Sequence, residues 1–399
     1  MKKGFTITEL LTILIILGII ALIAVPNINS IVKESKIKSY TTSSKTIIRT
    51  MKESCEANKI SKEKPVLSYF FNNGKASSKI EFKGISPDSG YVILNNKCEI
   101  DAYYLVYDDY TYKNKEDIRQ DYMLKKSTSD ETSIFKTLYS SYYDSIINVY
   151  FIDNVNIPNN AIEIKDPSVS GNNKIKSWLI PNGEYYYDLY VGSDSTIFLN
   201  TNSAYLFYQS HVINYYFENI NTILAEDMGF MFGNNFYLEN IDVSNFNTAN
   251  VKSFYGMFLS CNKINLVGIE KWDTSSATTM NHMFCNAFAI KNLDLSRWDT
   301  SNVTDMDYMF AANNESNTYM NLMSLDLSNW DMSKVTNMAY MFKLTYYLDE
   351  ITVTNSNIIE KIDDFLLLRS TEYPGKIYFS GDTSDLDISI LSSKNWHII

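Results

Sequence analysis

LDLSRWDTSNVTDMDYMF, residues 293–310, is the stretch from which the rest of this chain can be read. Leu293 and Leu295 alternate as the inward positions of a short strand, and Asp299, Thr300 and Ser301 supply N-cap oxygens. Val303, Met306, Met309 and Phe310 then share one helical face. The phrase recurs. A Met-Phe pair starts at 231, 257, 283, 309 and 341, with spacings of 26, 26, 26 and 32. An aromatic keeps phase at Phe246, Trp272, Trp298 and Trp330, after short alternating runs that begin at 241, 267, 293 and 325. Self-similarity at this period predicts a solenoid, because no single unit can bury its apolar face alone. Each unit reads strand, turn, short helix. The repeats cover 211–350, with 211–232 as a degenerate first unit and 351–399 as a C-terminal cap. The six extra residues of the last spacing fall in AANNESNTYMNLM (311–323), where a loop absorbs them.

Moving toward the N-terminus, INVYFI (147–152), KIKSWLI (174–180), GEYYYDLYVG (183–192) and TIFLN (196–200) read as strands of a β-rich lead-in cap over 146–210. Residues 116–145 are polar, without sustained periodicity, and read as a linker. KIEFKGI (79–85), GYVILNN (90–96) and EIDAYYLVYDDYTY (99–112) predict a small antiparallel sheet within a head over 65–115. Before it, Ile37, Tyr40, Ile47, Ile48, Met51 and Cys55 form one apolar helical stripe that should pack on that sheet. Lys36, Lys38, Lys45, Arg49 and Lys52 occupy the solvated faces.

The N-terminal stretch KKGFTITELLTILIILGIIALIAVP (2–26) carries a single charge between Phe5 and Val25, Glu9. As a helix it covers about 31 Å, enough for a bilayer core of roughly 30 Å. An acid in such a run is costly unless paired, so Glu9 needs a cation. Cutting between Gly4 and Phe5 removes Lys2 and Lys3 and exposes an α-amine on Phe5. On a neighbouring subunit that amine is a partner for Glu9. An ordinary secretory signal fits poorly, because its core would carry a carboxylate and no A-x-A site follows.

Charge is unevenly spread. Residues 1–64 carry 11 Lys/Arg and 5 Asp/Glu, and the remainder 24 against 41, so an acidic head of net −17 follows a basic stalk of net +6. That argues against phosphate-backbone binding by the head. Four cysteines, Cys55, Cys98, Cys261 and Cys285, lack zinc-type spacing. Cys55 with Cys98 is the first pair to test for a disulfide, although small buried thiols account for all four equally well.

The strand position between the inward residues holds Asp242, Gly268, Asp294 and Asp326. Aligned carboxylates repel, so Asp242, Asp294 and Asp326 form a candidate face for a cation or a basic ligand; the simpler reading has each solvated or bonded to a nearby amide. His211, His282 and His397 lie far apart and outside any H-E-x-x-H pattern, and there is no phosphate loop or nucleophile elbow. The sequence therefore predicts no enzyme, no metal site and no cofactor. The column Met257, Met283, Met309 and Met341 reads as core filling.

Lys2-Lys3, Gly4, Phe5-Thr6, Glu9, an apolar helix and Pro26 together resemble a type IV prepilin. That resemblance implies cleavage after Gly4 by a prepilin peptidase, N-methylation of Phe5, and bundling with other pilin subunits through Glu9 and the neighbour's Phe5. The helix followed by a few strands is similar to pilins of Gram-positive bacteria. At WDTSNVTDMDYMF (298–310) the chain resembles the BspA-like leucine-rich repeats of bacterial surface proteins, which implies a displayed module that binds an extracellular macromolecule. VGIEKW (267–272) departs from that pattern, since Gly268 replaces the strand acid.

The resulting expectation is an α+β chain. A leader (1–4) precedes a long N-terminal transmembrane and stalk α-helix (5–64), then a small antiparallel pilin-like sheet, then a β/α leucine-rich repeat solenoid. The expected function is a minor or tip pilin-like subunit displaying a recognition module for adhesion. It would sit in the cell membrane before assembly and then at the cell surface with its head outside. The alternatives are a membrane-anchored binding protein that uses the prepilin export route without filaments, and a DNA-uptake pseudopilin.

Overall fold

The computed structural model describes residues 7–61, 68–72, 74–76, 80–94, 97–108, 110–114, 119–127, 132–312, 319–353, 374–379 and 389–399, and side chains of the first helix from Ile31 onward. The chain divides into two units, Met1–Asp117 and Ile118–Ile399.

In the first unit, helix α1 (Ile7–Ile60) is followed by β1 (Ser68–Asn72), β2 (Lys75–Ala76), β3 (Ser89–Leu94), β4 (Ile100–Tyr107) and β5 (Tyr110–Lys113). The strands form one antiparallel sheet in the order β2-β1-β3-β4-β5. Tyr40, Ile47, Met51 and Cys55, spaced by seven and four, bury one helix face among Tyr69, Phe71, Val92, Leu94, Leu105 and Tyr107. A polar seam sets the register of helix on sheet. Tyr40 Oη donates to Asp108 Oδ2 at 2.6 Å, and Ser44 Oγ to Tyr107 Oη at 2.9 Å. Burial pushes the Tyr107 phenol up to about 12. A disulfide joins Cys55 on α1 to Cys98 ahead of β4, with the Cα atoms 5.7 Å apart. KIEFKGI forms no strand over its described residues 80–85. Gly84 has φ +132°, a Cβ there would sit 2.6 Å from Ser43 Oγ, and Ile85 N–H donates to that same oxygen at 2.9 Å. The segment is held to the helix instead of pairing with a neighbour.

In the second unit a 3-10 turn (Arg119–Tyr122) precedes α2 (Ile134–Leu138), which is capped by Ser133 Oγ accepting from Phe135 N–H at 3.1 Å. Leu124, Ile134, Phe135, Tyr139 and Tyr143, all from the stretch read as linker, are buried in the main core. Their runs are too short to show a period. Strands β6 (Ile146–Ile152), β7 (Ile162–Lys165), β8 (Lys176–Asn182), β9 (Tyr186–Gly192), β10 (Ile197–Phe198), β11 (Asn214–Phe217), β12 (Ile220–Asn221), β13 (Asn240–Asp242) and β14 (Asn265–Val267) follow. Seven of them make one sheet, β14-β13-β11-β6-β9-β8-β7, while β10 pairs with β12. A second sheet, all parallel, runs β15 (Asn292–Leu293), β16 (Ser324–Leu327), β17 (Glu350–Val353), β18 (Gly375–Phe379) and β19 (Trp396–Ile398), with α3 (Ser389–Ser393) before its last strand.

The repeats stack in parallel, turn on turn. The N–H groups of Met228, Phe230, Phe232 and Asn234 donate to the carbonyls of Ser253, Tyr255, Met257 and Leu259. The same alternate-residue ladder links 254–260 to 279–285, 280–286 to 305–311, and 306–312 to 337–343. Inside the stack Phe207, Phe232, Phe258, Phe284, Phe310 and Phe342 form a continuous pile, with ring centroids 5.2, 5.6, 5.9, 5.6 and 5.4 Å apart. Beside it Phe246, Trp272, Trp298 and Trp330 stack at 6.4, 6.3 and 6.3 Å.

The expected α+β class is corrected in two respects. The chain is mostly sheet, and among the described residues of 199–353 there is no α-helix. Val303, Met306, Met309 and Phe310 are buried as expected of a shared face, but the backbone between them cannot be helical. Tyr308 is left-handed at φ +53°, and its amide is spent on the next turn through Ala339 O, so no i→i−4 ladder can pass it. The transmembrane helix is the second correction. Among the described residues no helix is long and apolar enough to cross a membrane. The described side chains of α1, which include Lys33, Glu34, Lys36 and Lys38, belong to a helix docked on its own sheet. Gly4 and Phe5, and the side chain of Glu9, lie outside the described residues.

Candidate recognition surface

The repeat turns carry left-handed positions in two columns, both present in every turn except that of Tyr308, which has only the ring position. One column holds Gln209, Asn234, Ser260, Asn286 and Leu344, at φ between 53° and 61°. Asn, at two of the five positions, is an ordinary occupant of such a conformation. The other column, one residue before the Met of each Met-Phe pair and before Leu206-Phe207 in the turn ahead of them, holds Tyr205, Phe230, Gly256, His282, Tyr308 and Tyr340, at φ between 51° and 59°. Bulky rings are poor residues for it, each costing roughly 1–3 kcal/mol where glycine would cost little. Packing recovers part of that cost. Tyr205 stacks on Phe230 at 5.1 Å, His282 on Tyr308 at 4.8 Å, and Tyr308 lies 5.0 Å from Tyr340. Where Gly256 contributes no ring, Tyr255 fills in from the preceding position, 4.7 Å from Phe230 and 6.1 Å from His282. A Cβ on residue 256 would meet the Phe230 ring at 2.6 Å, so the gap belongs to that ring. The result is one aromatic row down the stack, with Tyr255 39% and Tyr340 56% exposed.

A polar column runs beside the rings: Asn202, Asp227, Ser253, Thr279, Asp305 and Asn337 bridge in parallel from turn to turn. Asn281 Nδ2 donates to Asp305 Oδ2 at 2.7 Å, and Asp305 Oδ1 accepts from Asp307 N–H at 3.1 Å. Asp307 Oδ1 is buried without a hydrogen-bond partner, and desolvation, only partly offset by the neighbouring His282, raises its carboxyl above the usual range. His282, whose ring bonds to Asn281 Oδ1, is held below the ordinary histidine value by burial, against the pull of Asp307 and Asp305. Lys343 Nζ lies 5.4 Å from the Tyr308 ring centroid and 5.3 Å from that of Tyr340. In the sequence the signal of this row is an aromatic or histidine ahead of four of the five Met-Phe pairs.

Of the aspartates singled out from the sequence, Asp294 and Asp326 follow the paired Leu293 and Leu325 and so stand in register, whereas Asp242 lies in the other sheet. Asp242 pairs across the sheet with Val267, not Gly268, and Asp326 with Thr352. Asp242 and Asp326 lie in different sheets, and Asp294 follows the last residue of β15. Each Oδ1 closes a local turn, accepting from the N–H of Ser244 at 2.8 Å, Ser296 at 3.1 Å and Ser328 at 2.9 Å. The hydroxyl and amide of Ser296 hold the Asp294 carboxyl below its ordinary value. Gly268 departs from the acid pattern for a backbone reason. It has φ +94°, and a Cβ there would meet Ser244 N at 2.3 Å. Among the described residues no group of three or more His, Cys, Asp or Glu is placed to hold a metal ion. The histidines stand in separate settings: His211 Nδ1 is 3.3 Å from Asp144 Oδ1, His282 lies in the aromatic row, and His397 is on β19. Cys261 and Cys285 are buried free thiols, and burial pushes Cys285 up to about 12.

Residues 199–268 and 253–365 match a family described as Mycoplasma protein of unknown function, DUF285. That match falls on the repeat turns and the aromatic row. No curated protein and no solved structure matches the chain.

Proposed function

We propose that this chain is a surface-displayed recognition protein, a pilin-like subunit whose repeat stack binds an extracellular macromolecule in adhesion. The observation that carries this reading is the aromatic row, partly solvent-exposed on a backbone hydrogen-bonded from turn to turn. Large rings at strained positions are poor structural choices but good contact residues, since they offer area at low conformational cost. Three features support display outside the cell. They are the disulfide between Cys55 and Cys98, the prepilin-like residues Lys2 to Phe5, and Glu9 at the fifth position after the proposed cleavage point. Under this reading a prepilin peptidase cuts after Gly4, and Glu9 meets the Phe5 amine of another pilin subunit. The function requires no catalytic step and no cofactor.

Mass spectrometry of the mature N-terminus, combined with surface labelling of intact cells, tests the proposal. A chain beginning at methylated Phe5 and accessible from outside is expected. A chain beginning at Met1 and inaccessible would refute it. Glu9→Ala separates a filament subunit from a surface receptor that merely shares the export route: loss of filament incorporation is expected, and unchanged surface behaviour would favour the receptor.

A further inference from the structure

We infer that the aromatic row is a docking track for an extended, lysine- or arginine-rich segment of a partner polypeptide, an inference that rests on the repeat stack being a displayed recognition surface. The two left-handed columns provide an internal control. Their backbone demand is the same, yet one is met mainly by Asn, Ser and Gln and the other by Tyr, Phe and His. Backbone geometry therefore does not select the rings. Continuity does matter, because the one ringless position, Gly256, is made good by Tyr255 from the neighbouring column.

The charge beside the rings selects the partner. Asp227 and Asp305 belong to the polar column beside the rings, while Glu226 is already paired with Lys252 at 2.7 Å and Asp307 Oδ1 is buried. Residues 199–350 hold 16 Asp/Glu against 7 Lys/Arg, which disfavours polyanions such as nucleic acid. The row already accommodates an ammonium, since Lys343 Nζ sits over both Tyr308 and Tyr340. Aromatic faces with nearby carboxylates attract cations, and a row repeating once per turn suits a chain that offers them repeatedly.

The test uses the full chain and a labelled sixteen-residue peptide alternating lysine and serine. A glutamine-for-lysine version and a neutral chitin hexasaccharide serve as comparisons, all read by fluorescence anisotropy. The ring-deleting variant is Tyr308→Gly with Tyr340→Gly, because Gly256 shows that this column accepts glycine at the same φ. Asn286→Gly in the second column is the control, and circular dichroism checks that each variant folds. The lysine peptide is expected to bind, the glutamine peptide at least tenfold more weakly. Ring deletion should weaken lysine-peptide binding about tenfold, with the control unchanged. Equal binding by the ring-deleted protein would overturn the inference, because ring deletion leaves the charge untouched. So would binding of the hexasaccharide in place of the peptide, or no binding by either. Surface labelling tests display separately, so an accessible chain that ignores the peptide refutes the track alone.

Discussion

Trp298 offers the sharpest test of how the repeat stack holds together. It is 1% exposed and stacks between Trp272 and Trp330, and its Nε1 donates to Ile269 O at 3.1 Å. That carbonyl also accepts from Trp272 N–H at 3.2 Å, so removing the indole donor leaves it bonded once. The hydrogen-bond loss in Trp298→Phe therefore belongs at the low end, about 1 kcal/mol. The smaller ring forfeits roughly another 1 kcal/mol of burial. We predict a total of about 2 kcal/mol for Trp298→Phe and about 3–5 kcal/mol for Trp298→Ala, which also opens a cavity. Phe246 heads the same column, so a phenyl ring fits the site. Urea unfolding followed by far-UV circular dichroism measures both without relying on tryptophan emission. Equal costs for the two variants would refute the stacking argument, as would a Phe variant within about 0.5 kcal/mol of wild type.

Other expectations follow from the same geometry. Reducing the Cys55–Cys98 bridge, whose ends are 43 residues apart, should destabilise the first unit by about 4 kcal/mol, read as an earlier urea midpoint in dithiothreitol. Gly268→Ala should cost upwards of about 3 kcal/mol, since the new methyl meets backbone atoms of Ser244 at a positive φ; near-neutral behaviour would show that the loop yields. Acidification should weaken the second unit through His282. Its folded pKa lies below the unfolded value of about 6.5, so its contribution is full above that pH and fades as pH falls toward the folded value. His282→Gln should flatten that part of the pH profile in thermal melts. The Asp294, Asp299 and Asp331 carboxyls, each held low by a serine two residues on, add a second loss below about pH 4.

Much of the architecture was legible because burial leaves a period. The Met-Phe pairs, the Phe246-to-Trp330 column and the face of α1 running through Tyr40, Ile47, Met51 and Cys55 all occupy the interior positions that their spacing implied. What failed was the conformation between them. Val303, Met306 and Met309 satisfy a helical face and also a backbone whose amides bond the adjacent turn. Only the φ of Tyr308 and Tyr340 distinguishes the two, and aromatic residues do not announce a left-handed conformation as glycine does. Asp242 falls out of register with Gly268 for a related reason. A spacing of 26 sets Asp242 against Gly268, but the ladder pairs it with Val267 and then turns at the glycine. Register follows hydrogen bonds, and identical side chains mark it only approximately. The candidate site itself escaped because its rings differ in identity, Phe, His and Tyr, while their position is constant.

Because every turn repeats the same backbone donors and acceptors, a whole turn can be gained or lost by gene duplication or deletion without re-pairing its neighbours. The reach of the binding edge then changes in discrete increments of about 4.8 Å, one strand spacing at a time. Such a protein adjusts its grip by copy number, whereas a globular receptor would have to rebuild its core.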